Sequence, residues 1–316
     1  MTADPPRVVI SVPTGARPDG LERLLDAVAA QTAAAAHAEI VVVDNGDAKD
    51  ETRRGVEKAT ARTGVRATYL VEPERGIPFA RNACVRAALD LGADALVFID
   101  DDEWPAPNWL EALLATWQRT GADIVLGPAH GVLPAGAPRW ARYSGVFDKD
   151  RRLPDGAPIR TAYSYNTLVS RRALEILGPA FDAAFRYTGS SDHHFFKQAA
   201  AAGLVSVWSP AALVYEEIDA RRVCLSWVLK RGYRIGAGAT RSTRLRLGGG
   251  RGVVRIALLT AGNLGFAAWH ALRVVRHRWC WVEALRRLAI AVGLLGGTLH
   301  AHKEYAADGR LDAPAS

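Results

Sequence analysis

Ala95-Leu96-Val97-Phe98-Ile99-Asp100-Asp101-Asp102-Glu103-Trp104-Pro105 is an apolar run that ends abruptly in four adjacent acids. An apolar run without polar alternation is what a strand buried on both faces requires. Four neighbouring carboxylates repel one another, and the crowding raises some of their pKa values unless a cation offsets the charge. A divalent metal is the expected partner; an oxygen-rich site suits Mg²⁺ or Mn²⁺, completed by substrate phosphates and water. An acidic helix N-cap, with Pro105 early in the helix, accounts for one or two of these acids and leaves the others unexplained.

Outward from this stretch the pattern alternates. Towards the N-terminus, Val8–Val12 and Ile40–Val43 read as strands, separated by Leu21, Leu24, Leu25 and Val28 at helical spacing. Thr68–Val71 is a further strand, followed by a helix with Ala80, Ala83, Cys84, Ala87, Ala88 and Leu91 on one face. Past the acids come Leu110, Leu113, Leu114 and Trp117 at helical spacing, then the strand Asp123–Leu126. Apolar strands separated by helices predict an α/β fold with a mostly parallel, Rossmann-like sheet flanked by helices. Ligands on such sheets gather at the carboxyl ends of the strands, where the acids stand. From Gly127 to about Arg160 the pattern gives way to a Pro/Gly-rich stretch with Trp140, Tyr143 and Phe147, long enough to predict a functional loop. Helices are expected at Arg171–Leu177 and Asp192–Ala202, and a last strand at Val205–Trp208.

The 316-residue chain has 49% hydrophobic residues and a net charge of +7, and the total hides a division. Residues 221–316 carry 17 Lys and Arg against 4 Asp and Glu, a balance of +13, which leaves −6 for residues 1–220. The basic residues are interleaved with the apolar segments Val253–Val275 and Ala284–Leu299, neither of which is a clean membrane span. Helices lying in a membrane interface suit them better, so the expected partner is an anionic membrane surface and not nucleic acid. This predicts a domain at 1–235 and a helical, basic extension at 236–316. Met1–Arg7 has no basic stretch followed by an apolar run, so a cytoplasmic location, peripheral at the inner face of the cell membrane, is expected. Cys84, Cys224 and Cys280 are far apart and odd in number, which points to free thiols.

The order of motifs resembles glycosyltransferase family 2, whose members have the GT-A fold, and within it the bacterial polysaccharide-assembly branch similar to succinoglycan glucosyltransferases. The matching residues are Val12-Pro13-Thr14, Val43-Asp44-Asn45, Arg75-Gly76-Ile77-Pro78-Phe79-Ala80-Arg81-Asn82, Asp100–Asp102 and Ser191-Asp192, covering about residues 7–235. The resemblance implies an inverting transferase that moves a sugar from a nucleotide sugar, commonly a UDP-sugar, to a saccharide or lipid-linked acceptor. By position it implies that Asp44 hydrogen-bonds the base, Arg81 lies near the donor, Asp100 contacts the ribose and Asp102 holds the metal, with Pro13, Thr14 and Asp101 in the same donor-binding set. A metal with a nearby Arg stabilises a leaving diphosphate without a covalent intermediate.

Transfer onto a hydroxyl needs a general base, and Asp192 is the candidate. Ser191 departs from the family's Glu-Asp pair. Glu216 stands where many relatives have a metal-reaching His, and is the candidate second ligand. His193 and His194 are adjacent and point about 100° apart on a helix, so they cannot easily share one ion. Trp140, Tyr143 and Tyr165 are candidate sugar-stacking surfaces, Asn166 an acceptor-site candidate, and Arg231 with Arg234 candidates for phosphate contact. Ser191 and Glu216 leave open an inactive nucleotide-sugar or glycan-binding protein, and the acids alone would also serve a metal-dependent nucleotidyltransferase or phosphoesterase. A nicotinamide dehydrogenase is disfavoured, because Ser11-Val12-Pro13-Thr14-Gly15-Ala16 lacks GxGxxG.

Overall fold

The strand β1 (Val8–Thr14) is buried at every residue but one, because it lies in the middle of a sheet covered on both faces. The computed structural model describes residues 5–15, 18–31, 38–46 and 50–297. In chain order the first elements are β1, α1 (Pro18–Ala29), β2 (Ala38–Asn45), α2 (Asp50–Thr63), β3 (Ala67–Glu72), α3 (Ile77–Asp90) and β4 (Ala95–Phe98). They are followed by β5 (Glu103–Pro105), α4 (Trp109–Thr120), β6 (Ile124–Leu126), β7 (Ala129–Val132) and α5 (Arg139–Ser144). Next come β8 (Thr167–Ser170), α6 (Arg171–Leu177), α7 (Ser191–Ala201), β9 (Ser206–Trp208) and β10 (Val214–Glu217). Three helices close the described chain: α8 (Leu225–Leu247), α9 (Gly249–Arg273) and α10 (Cys280–Gly296).

The chain divides into two compact units, and the division follows no single cut in the sequence. The first comprises Met1–His130, Lys149–Arg186 and Ser191–Glu217; the second comprises Gly131–Asp148, Tyr187–Ser190 and Ile218–Ser316. The expected boundary at 235/236 falls inside α8, which continues through it without a break. Residues 298–316, the end of the expected extension, lie outside the described residues.

The first unit holds a seven-stranded sheet in the order β3-β2-β1-β4-β8-β6-β9. Its first four strands are parallel, β8 is antiparallel to both β4 and β6, and β9 is parallel to β6. Alternate residues of each central strand feed opposite faces. Val8, Ile10 and Val12 pack with Leu21, Leu24 and Leu25 of α1 and with Trp109 and Leu113 of α4. Val9, Leu96 and Phe98 pack with Cys84 and Val85 of α3 and with Phe195 and Phe196 of α7. The β1–β2 register sets Thr14 opposite Asp44, so both reach the carboxyl edge together. At that same edge β5 pairs antiparallel with β10, with Glu103 opposite Glu216. The stretch expected as one long loop contains β7 and α5. The polar helix α2, the short strand β8 and the strand β10 add to the elements read from the sequence.

In the second unit α8 and α10 pack backbone against backbone through glycines. A Cβ on Gly236 would strike the carbonyl of Ile290, and one on Gly293 the carbonyl of Tyr233. Helix α9 buries only one stripe, Gly252, Ile256, Thr260 and Ala267. Its other side exposes Val254, Leu258, Leu264, Trp269 and Leu272, the last 78% accessible. Among the described residues, α9 is the one helix long and apolar enough to cross a membrane.

Candidate active site

The acid loop follows β4 directly, and its shape is set from below by Glu103. The fully buried Glu103 side chain accepts the Asp100 N–H through Oε2 at 3.0 Å, while its own N–H donates to the Asp100 carbonyl at 3.0 Å. This reciprocal pair closes a tight turn around Asp101 and Asp102. The Glu217 N–H donates to the Asp102 carbonyl at 2.9 Å, so the pairing of β5 with β10 extends into the loop. Asp101 turns inward: its Oδ2 accepts from the Thr14 hydroxyl at 2.8 Å and lies 3.4 Å from the Gly15 N–H. It ties the ends of β1 and β4 together. Asp100 and Asp102 remain half-buried.

Burial pushes the Asp100 carboxyl up to about 6; the Arg81 charge opposes the rise and the Asp102 charge adds to it. Burial likewise drives Glu103 well above the usual carboxylate range, against the pull of Lys149. Beneath the loop the Lys149 Nζ lies 2.6 Å from Glu216 Oε2 and 3.6 Å from Glu103 Oε1, with the Tyr165 ring centroid 4.2 Å away. Glu216, the candidate second metal ligand, directs its Oε2 at this ammonium, because two acids on paired strands face the same buried space. Among the described residues no three His, Cys, Asp or Glu side chains converge as a metal cage. The donor set nevertheless fits Mg²⁺ or Mn²⁺, which need only one or two carboxylates when phosphates and water complete the shell. A cation beside Asp102 would also offset what that carboxylate adds to the burial-driven rise at Asp100.

Arg81 projects from α3, whose Pro78 favours the first turn, and is held against Phe181 with its CZ 5.9 Å from the ring. One terminal nitrogen lies 3.7 Å from Asp100 Oδ1; the other donates to the Ser191 hydroxyl at 3.3 Å. The buried Nε makes no hydrogen bond within the protein, leaving a cationic donor for an anion. Arg81 therefore joins the acid loop to the first residue of α7. A Glu at position 191 would place a carboxylate against Arg81; Ser191 leaves that charge for other partners. Asp192 follows in the first turn of α7, half-buried, with Oδ1 accepting the His193 N–H at 2.7 Å.

Asp44 is fully buried at the end of β2 and accepts the Tyr69 hydroxyl at 2.8 Å. Pro13 is half-buried one residue before Thr14. The neighbouring Asn45, a motif residue with no role implied by the sequence, positions backbone. Its amide donates to the Glu74 carbonyl at 2.8 Å and accepts the Gly76 N–H at 2.7 Å, pinning the loop that leads into α3. Asn82 does the same for the approach to α7, exchanging two hydrogen bonds of 2.9 Å with the backbone of Phe181.

Other candidates serve the framework. The Asn166 amide donates to the carbonyls of Pro128 and Ala212, at 2.7 and 2.6 Å, and accepts Trp109 Nε1 at 2.6 Å, so no group of it is left for an acceptor. Its φ of 43° suits Asn better than a bulkier residue. His194 is buried against Phe185, while His193 lies at the Tyr163 ring, so the two point apart. Tyr165 stacks on Tyr163. Trp140 and Tyr143 belong to the second unit, where Trp140 packs on Phe147. Arg231, also in that unit, lies over Trp227.

The family model of glycosyl transferase family 2 matches residues 9–178. The succinoglycan biosynthesis protein ExoM of Rhizobium meliloti (strain 1021) is 34% identical over 292 residues, 92% of this chain and 90% of that protein. Glycosyltransferase AglE of Haloferax volcanii is 26% identical over 203 residues, 64% of each chain. Among solved structures, the mannosyltransferase PcManGT from Pyrobaculum calidifontis, in complex with GDP-Man and Mn2+, superposes with a TM-score of 0.58 at 19% identity, covering 92% of this chain and 87% of that one. S. aureus TarS 1–349 gives a TM-score of 0.53 at 16% identity over 97% and 96% of the two chains. These two likenesses show the fold.

Proposed function

This chain belongs to glycosyl transferase family 2, and from that premise we propose that it transfers a sugar from a nucleoside-diphosphate sugar to a saccharide or lipid-linked saccharide during cell-surface polysaccharide synthesis. The observation that carries the reading is Arg81, one guanidinium reaching both Asp100 and the residue before Asp192. Asp192 takes the proton of an acceptor hydroxyl. The freed oxygen attacks the anomeric carbon from the face opposite the diphosphate; as that bond forms, the carbon–oxygen bond to the diphosphate breaks, and the anomeric configuration inverts. Arg81 lies where the departing charge needs a partner, and it requires no reorganisation to meet it. Asp102 would hold a divalent cation, which would add Lewis-acid neutralisation of that charge. Asp44, oriented by Tyr69, takes the base; Asp100 takes the ribose; and Pro13, Thr14 and Asp101 wall the same side. The donor proposed is a UDP-sugar, while the solved mannosyltransferase holds GDP-Man and Mn2+.

We assign catalysis to the first unit and membrane association to the second, residues 236–316 included, at the cytoplasmic face of the inner membrane. Support comes from the apolar side of α9 and from residues 220–282, which contain 13 Lys and Arg and no Asp or Glu. Product analysis tests the function: nucleoside diphosphate released with an inverted linkage agrees with it. Pyrophosphate as the product would instead mark a nucleotidyltransferase, and donor binding without turnover a binding protein.

A further inference from the structure

Within the second unit, the turn between α9 and α10 and the end of α5 border an open, solvent-facing cavity of about 310 Å³ lined by Tyr143, Ser144, Arg276, His277, Arg278, Trp279 and Cys280. The lining has two guanidiniums, an imidazole and the hydroxyls of Tyr143 and Ser144, and no carboxylate. Neither Arg276 nor Arg278 forms an ion pair with a described residue. Arg278 lies beside an aromatic pair: its Cζ is 4.8 Å from the Trp279 ring centroid, and that ring stacks on Tyr143 at 6.4 Å and 20°. A guanidinium beside an aromatic ring still presents its planar N–H fork, the group that recognises a planar or tetrahedral oxyanion. The volume is at the lower end for ligand pockets, enough for a phosphate head and too small for an oligosaccharide.

What adjoins the cavity identifies the ligand's source. Leu272 and Val275, 78% and 93% accessible, immediately precede the pocket residues, and the exposed apolar side of α9 leads to them. A soluble phosphate has no use for such a surface; the phosphate of a lipid brings acyl or isoprenoid chains that cover it. We propose that this cavity is a binding site for the phosphate head of a membrane lipid, with Arg276 and Arg278 as its clamp and the apolar face of α9 as the bed for the chains. This rests on reading α9 as membrane-facing.

Flotation with vesicles of phosphatidylcholine alone, with phosphatidylglycerol, and with phosphatidate at matched surface charge tests it. The variant Arg276→Ala/Arg278→Ala is compared with Arg251→Ala/Arg255→Ala, which removes the same charge from the other end of α9. The wild type should favour phosphatidate over phosphatidylglycerol by about tenfold, the scale of a charged hydrogen-bonded clamp. The pocket variant should lose that preference, and the control variant should keep it. A preference that survives the pocket variant overturns the proposal while leaving membrane association standing. Binding of inorganic phosphate alone, with no preference among vesicles, overturns the lipid assignment. Failure of the wild type to bind any vesicle refutes the membrane reading itself.

Discussion

The Nζ of Lys149 lies 2.6 Å from Oε2 of Glu216 and shares its charge with the fully buried Glu103. Glu103 in turn holds the Asp100 N–H, so one ammonium sits beneath the whole acid loop. Removing it leaves two carboxylates facing each other without compensation. Lys149→Met should therefore lower unfolding free energy by about 3 kcal/mol, the cost of breaking a buried pair. The double variant Lys149→Met/Glu216→Gln should recover about half of the loss, a coupling read by urea melts in a double-mutant cycle. Additive losses would show that the three groups do not act together.

Arg81 makes a comparable prediction for catalysis. Lys at position 81 keeps the charge but cannot reach Asp100 and Ser191 at once. Arg81→Lys should cut kcat/KM by about 100-fold through lost stabilisation of the diphosphate, with the melting temperature little changed. Steady-state kinetics beside a thermal melt separates this outcome from simple unfolding.

The glycine contacts of α8 and α10 predict a stability effect confined to the second unit. A Cβ at Gly236 or Gly293 would meet backbone atoms of the facing helix, which cannot rotate away. Gly293→Ala should cost about 2 kcal/mol of packing strain. Gly262→Ala, on α9 with open space around the added Cβ, should be neutral or slightly stabilising, since Ala is the better helix former. Limited proteolysis within 218–297 reads the difference.

The thiols provide a chemical test of the sheet's packing. Cys84 is fully buried in the core, and burial pushes its thiol up to about 12, whereas Cys224 and Cys280 are partly accessible. At pH 8 a thiol reagent should titrate the two accessible groups in the native protein and Cys84 only after denaturation. Rapid reaction of all three in the native state would contradict the placement of α3.

The strands β1, β2 and β4 were legible because burial on both faces removes polar alternation, and the acid loop because four adjacent carboxylates need an explanation. Helix α2 escaped notice since it buries little more than Thr52, Val56 and Ala59, too few to form a periodic apolar stripe. The strands β5 and β10 are short and carry acids, Glu103 in one and Glu216 and Glu217 in the other, so no apolar run marks them. Lys149 is 46 residues from Glu103 in an aperiodic stretch, so nothing local pairs them. Asn45, Asn82 and Asn166 act through backbone groups distant in sequence, and their type reveals no partner. The family resemblance pointed to Asp44, Arg81 and Asp100, and the need for a general base to Asp192; the fold brings Arg81 within reach of both Asp100 and Ser191.

The central claim is that Asp192 removes the acceptor's proton while Arg81, with a cation that Asp102 would hold, meets the charge of the departing diphosphate. Turnover by Asp192→Asn, measured as nucleoside diphosphate released under saturating donor, Mn²⁺ and acceptor, tests it most directly. The account predicts a loss of about 10²–10⁴ in kcat with donor affinity unchanged, the range for removing a general base. Turnover near the wild-type rate would contradict it.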